Sequence, residues 1–123
     1  MDRSVWGLVE SIRLSEKINY MRVAFKMKLN KGCEEEYRKR HDALWPELRI
    51  LLKNTGMKDY SIFLDEETNI LFGYFTIDDA DKLTKLPNEP VMKKWWHYMK
   101  DIMQTNEDAS PVSISLKEVF YLE

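Results

Sequence analysis

Three observations predict an α+β domain of the split βαβ, or ferredoxin-like, type. The chain carries four stretches with strand patterning, two helical regions separate them, and the order is strand, helix, strand, strand, helix, strand. A length of 123 residues fits one such domain and leaves no room for a second core. Apolar residues at 44% supply a packed interior, more than a disordered tail carries.

The first strand is read over residues 21–29, where Val23, Phe25, Met27 and Leu29 alternate with Arg22, Ala24, Lys26 and Lys28. Asn30, Lys31 and Gly32 make a turn, and Glu34, Glu35 and Glu36 place negative charge where the first turn of a helix favours it. That helix starts near Cys33 and runs toward Asn54, but Pro46 cannot donate a backbone bond to residue 42. A break around residues 43–45 follows, giving two helical pieces. Thr55 and Gly56 stop the second piece, and residues 58–64 form the next strand, with Tyr60, Ile62 and Leu64 on one face and Ser61 and Phe63 on the other.

Residues 70–77 are the other arm of a hairpin. Asp78 and Asp79 cap a short helical stretch at 80–86, Pro87 and Pro90 bracket a loop, and a longer helix spans 91–104. After the turn-rich residues 105–111, a last strand occupies 113–122. Phe25, Phe63, Phe72, Tyr74, Phe120 and Tyr121 cannot all lie on one side of such a sheet. Helices cover one side, and a face-to-face homodimer is the simplest cover for the other, which closes a dimeric α+β barrel. Residues 1–20 stand apart as an N-terminal extension whose Val5, Trp6, Val9, Ile12 and Leu14 fit a short amphipathic helix.

Composition narrows the function. With 19 Lys plus Arg against 21 Asp plus Glu, the net charge of -2 argues against a nucleic-acid partner or an anionic membrane surface. The single cysteine, Cys33, forms no intramolecular disulfide and no CxxC site, which fits a reducing compartment. No apolar run approaches the roughly 20 residues of a membrane span, and charges interrupt residues 1–20, so a cytoplasmic location is expected. Four glycines, none in a GxGxxG or GxxxxGK pattern, argue against nucleotide binding.

Proton transfer near neutrality is sought first at the two histidines. His97 shares a polar helical stripe with Lys93 and Lys100 and reads as a solvated surface residue. His41 lies four residues after Tyr37 on the same helix face, just before the break at Pro46. Spacing alone leaves it either a polar helix-end residue or a proton-transfer group. Trp95 and Trp96 are adjacent on a helix and point about 100° apart, so they widen an apolar arc with Val91, Met92, Tyr98 and Met99. Such an arc serves either core packing or a carbohydrate site, where flat aromatic faces cover sugar C–H surfaces. Neither His41 with Asp42 nor His97 with Asp101 has further metal ligands at a recognisable spacing.

The segments MRVAFKMKLN, EEEYRKRHDALWPEL, YSIFLD, KWWHYM and NEDASPVSISLKEVFYL, in this order and spacing over residues 21–122, closely resemble the L-rhamnose mutarotase family. The resemblance implies a dimeric ferredoxin-like subunit and an enzyme that interconverts the α and β anomers of the sugar L-rhamnose without metal or organic cofactor. It implies that His41 is the proton donor of a YxxxH motif, and that Tyr37, Tyr60, Trp95 and Trp96 bind the substrate. Asn106 and Asp108 are polar enough to bind hydroxyls but receive no role from it. Two other readings use the same aromatic pocket: a non-catalytic sugar-sensing domain, and a cofactor-free dimeric α+β barrel oxygenase acting on a large aromatic substrate.

Overall fold

The computed structural model describes residues 20–123; the extension expected over residues 1–20 falls outside them except for Tyr20. Strand β1 (Met21–Lys28) is followed by helices α1 (Glu34–Asp42) and α2 (Pro46–Asn54), strands β2 (Met57–Asp65) and β3 (Ile70–Ile77), a 3-10 helix (Ala80–Asn88), helix α3 (Pro90–Met99) and strand β4 (Ile114–Ser115). The sheet order is β2-β3-β1-β4, and every pairing is antiparallel.

Alternation along these strands sorts the side chains. Met27 and Leu71 are paired across β1 and β3, as are Val23 and Phe75, and all four face the helices. The core beneath the helices gathers Met27, Leu29, Tyr37, Leu48, Leu71, Met92, Trp95 and Met99. The Phe25 ring lies directly over Gly73, its partner on β3, where a Cβ would overlap the ring. On the opposite face Phe63 and Phe72 are cross-strand partners and both exposed, and Ile114 of β4 is exposed as well. The aromatics thus divide between two faces, as their spacing predicts, and within the described residues the outer face stays open around Phe63, Phe72 and Ile114.

The break before Pro46 is present. Trp45 is extended, with φ -60° and ψ 133°, and Pro46 opens α2 at a position whose N–H would have had no intrahelical partner. Three boundaries differ from the sequence reading. The 3-10 helix runs through Pro87 to Asn88 instead of yielding to a loop at Pro87, since its last turn is closed by the Glu89 N–H donating to the Leu86 carbonyl at 3.1 Å. Helix α3 ends at Met99, five residues early. Beyond it the chain turns along the end of β1, where Ile102 accepts from the Asn30 N–H and the Gln104 N–H donates to Lys28, each at 2.9 Å. Ile102 and Met103 keep their apolar spacing because they fill the same core from an irregular segment.

The last strand is the largest difference: of residues 113–122, only Ile114 and Ser115 join the ladder. Leu116 still donates to the Ala24 carbonyl, and then side chains replace backbone pairing. Arg22 binds Glu118 through two bonds of 2.8 and 3.0 Å and lies 3.5 Å from the centre of the Tyr121 ring. An alternating pattern states which residues suit a strand, not whether a neighbour supplies the hydrogen bonds.

Candidate active site

Helix α1 carries Tyr37 and His41 one turn apart, and their rings stack at 4.3 Å with an interplanar angle of 29°. The His41 Nδ1–H donates to the Tyr37 carbonyl at 3.0 Å. A carbonyl only accepts, so this bond places the proton on Nδ1 and leaves Nε2, in the neutral ring, as a base. Burial lowers the pKa of His41 below its ordinary value, and the bond to Tyr37 and the charge of Asp42 oppose that shift without cancelling it. At pH 7 the ring is therefore neutral.

Helix α3 brings Trp95, which meets His41 edge-on at 5.4 Å and Trp45 edge-on at 5.1 Å. Tyr98 stacks on Trp45 at 5.5 Å and closes this aromatic group. Trp95 is 5% exposed and belongs to the core, whereas Trp96 is half-buried at the cleft wall. Strand β2 contributes Tyr60. The register of β2 shifts between Lys58 and Ser61, with Asp59 at φ 53°, and Tyr60, on the face shared with Ile62 and Leu64, places its ring 5.4 Å from Phe75 and 6.3 Å from Phe25.

Two phenols thus border the site with their protons held. Burial pushes Tyr37 well above the ordinary tyrosine range, with Tyr60 adding to the shift. Tyr60, which lines the cleft, is pushed up to about 12 by the same cause.

All five residues read from the sequence, Tyr37, His41, Tyr60, Trp95 and Trp96, line one open cleft of about 1480 Å³. Asn106 also lines it, held by its amide N–H groups donating to Ser110 and Pro111 oxygens. Asp108 does not, since its carboxylate accepts from Ser110 within the loop. His97 is exposed and away from the cleft wall, as its stripe predicts. Arg40 escaped the sequence reading: a charge within the EEEYRKRHD segment reads as a solvated helix face, yet its side chain is only 10% exposed. The Glu36–Arg40 spacing of four was its one local signal. Among the described residues no group of three or more His, Cys, Asp or Glu is arranged to hold a metal ion.

A family model described as L-rhamnose mutarotase matches residues 22–122. The chain belongs to the L-rhamnose mutarotase family. An L-rhamnose mutarotase of Brucella anthropi is 58% identical over 101 residues, 82% of this chain and 95% of that protein. One of Formosa agariphila is 57% identical over 102 residues, 83% of this chain and 98% of the other. A crystal structure of an L-rhamnose mutarotase from Formosa agariphila superposes with a TM-score of 0.78 at 56% identity, over 84% of this chain and 99% of that one. Membership extends the ferredoxin-like α+β assignment from sequence pattern to a solved mutarotase fold, and the matched span contains every cleft residue named above.

Proposed function

We propose that this protein interconverts the α and β anomers of L-rhamnopyranose through the open-chain aldehyde, with His41 as the proton-transfer group. The observation that carries the reading is a neutral histidine with Nε2 available, stacked on Tyr37 and edged by Trp95, on the wall of an aromatic cleft in a mutarotase-family chain. Ring opening breaks the bond between the anomeric carbon and the ring oxygen. The proton of the anomeric hydroxyl passes to Nε2 as the carbonyl forms, and the ring oxygen takes a proton from a donor on its other side. Burial makes Tyr37 and Tyr60 weak acids that stay protonated, which suits them to hydrogen-bond the ring oxygen while a water supplies the proton. The aldehyde turns about its bond to C2, and closure on its opposite face runs the same transfers backwards, so no atom or proton is gained or lost.

Trp96 and Trp95 hold the C–H face of the sugar and its C6 methyl, which leaves the hydroxyls to polar groups such as Tyr60. In this reading residues 21–123 are the mutarotase domain and residues 1–20 an extension, which accords with a family match that begins at residue 22. The working unit is a homodimer joined through the outer sheet face, which the exposed Phe63, Phe72 and Ile114 support. The place of work is the cytoplasm, in keeping with a lone unpaired Cys33 and with the absence, among the described residues, of a helix long and apolar enough to cross a membrane.

The test is saturation-transfer NMR on equilibrated L-rhamnose, because anomer exchange leaves bulk composition unchanged. Catalytic amounts of protein should transfer saturation between the two anomeric signals in proportion to enzyme concentration. Binding of the sugar with no accelerated exchange would reject the enzyme and leave a sugar-binding domain.

A further inference from the structure

The two halves of the cleft come from elements that share little else. Helix α1 supplies Tyr37 and His41, while α3 supplies Trp95 and Trp96. Helix α1 is nine residues long, buries one side chain, Tyr37, and stops at Asp42 before the break. Such a helix is weakly held by packing alone. Its neighbour α3 ends at Met99 with its last carbonyls short of intrahelical donors.

Arg40 spans the gap. Its Nη1–H groups donate to the Tyr98 carbonyl at 2.6 Å and to Asp101 Oδ1 at 2.9 Å, and its Nη2–H donates to Asp101 Oδ2 at 3.2 Å. The Nε–H donates to Glu36 on its own helix at 2.7 Å. Four hydrogen bonds thus use four of the five N–H donors of a guanidinium. The same plane lies 4.3 Å from the Tyr98 ring centre, and Tyr98 in turn packs on Trp95 at 5.6 Å. A positive charge at the C-terminus of α3 also suits the helix dipole.

We propose that Arg40 is a positioning residue for anomer exchange: by clamping the last turn of α1 to the end of α3, it sets His41 at its working distance from the tryptophan wall. This rests on the mutarotase reading of the same cleft. The geometry explains why an arginine is needed. A lysine offers a point charge and cannot span Asp101, Glu36 and the Tyr98 carbonyl with one planar fork. Ion pairs with carboxylates as open as Asp101 and Glu36, at 64% and 43% exposed, are energetically weak, so the consequence falls on geometry more than on global stability.

The experiment compares Arg40→Met, Arg40→Lys, Asp101→Asn and the double variant Arg40→Met/Asp101→Asn with wild type. Saturation-transfer kinetics on L-rhamnose give kcat and KM separately, and NMR of the His41 ring and of the Leu71 and Ile77 methyls is recorded without sugar. A misplaced catalytic group typically costs about 100-fold in rate, so Arg40→Met should lower kcat by about 10 to 100-fold with KM changed less than about threefold. Arg40→Lys should recover only part of the rate, Asp101→Asn should fall between, and the double variant should be no worse than Arg40→Met. The His41 signal should shift or broaden in Arg40→Met while the Leu71 and Ile77 methyls stay in place. A kcat within about threefold of wild type, or an unmoved His41 signal, in folded Arg40→Met overturns the proposal. Should Arg40→Met fail to fold, Asp101→Asn decides, and its full activity with an unmoved His41 signal overturns the proposal too. Absence of exchange in the wild-type protein would instead defeat the mutarotase reading, and the His41 signal would still judge the clamp.

Discussion

Replacing His41 with alanine removes the only ring in the cleft that both accepts and donates a proton near neutrality. General acid or base transfer by a placed side chain contributes about 10²- to 10⁴-fold, which corresponds to about 3 to 5 kcal/mol of barrier. The structural loss is smaller. His41 makes two aromatic contacts, with Tyr37 at 4.3 Å and Trp95 at 5.4 Å, and such pairs are worth about 0.5–1.5 kcal/mol each. A domain of ordinary stability, about 5–15 kcal/mol, survives that loss. The expected outcome is a folded protein by circular dichroism whose anomer exchange, followed by saturation transfer across pH 5 to 8, falls by about 10²-fold or more. Wild-type kcat/KM should be flat at pH 7 and decline as acid protonates Nε2, with a midpoint below the ordinary histidine value of 6.5. The alanine variant should lose that limb. Stability follows the same sign: the unfolded chain binds the proton first, so the contribution of neutral His41 is complete above pH 6.5 and is lost as pH falls from there through the folded-state pKa. Exchange within about threefold of wild type, or an acid limb that persists in the alanine variant, refutes the assignment.

The tryptophans should separate by burial. Trp95→Ala opens the core and should cost about 3–5 kcal/mol, seen as a lowered urea midpoint, whereas Trp96→Ala, at the half-buried wall, should stay folded and raise KM for L-rhamnose by at least severalfold; equal KM in Trp96→Ala and wild type removes it from the site. Phe72 lies in the middle of the outer sheet face beside Phe63, so Phe72→Glu, which enters a two-fold interface twice, should halve the sedimenting mass while circular dichroism is unchanged. A wild-type protein that sediments as a monomer at micromolar concentration would refute the dimer.

Much of this arrangement was legible because it is local. The alternation of residues 21–28 and 70–77, the acidic first turn of α1 and the proline that opens α2 each act within a few residues, and each is where its chemistry places it. The i, i+4 spacing of Tyr37 and His41 likewise becomes a stacked pair. The misreadings share a non-local cause. Whether residues 116–122 form a strand depends on the free side of β1, and Arg22 engages Glu118 and Tyr121 through its side chain instead. Whether α3 continues past Met99 depends on Lys28 at the end of β1 and on Asn30 just beyond it offering backbone partners to Gln104 and Ile102. The alternation of residues 58–64 does place Tyr60 with Ile62 and Leu64 on the face that meets Phe25 and Phe75, but only the family resemblance gives it a substrate.

The break between α1 and α2 links these two levels. An unbroken helix over residues 34–54 would carry His41 in its middle and send Trp45 round the same cylinder, about 40° from it in projection. With Pro46 at the start of a new helix, Ala43 and Leu44 close the old one on Lys39 and His41 carbonyls, and Trp45 is extended. That extension lets the Trp45 indole turn back onto Tyr98 and Trp95, so that Trp95 has one edge-on contact with Trp45 and another with His41. The proline therefore does more than end a helix. It makes one stretch of chain contribute to two walls of the aromatic group, and it leaves the last turn of α1 short enough that its orientation depends on what grips it from α3.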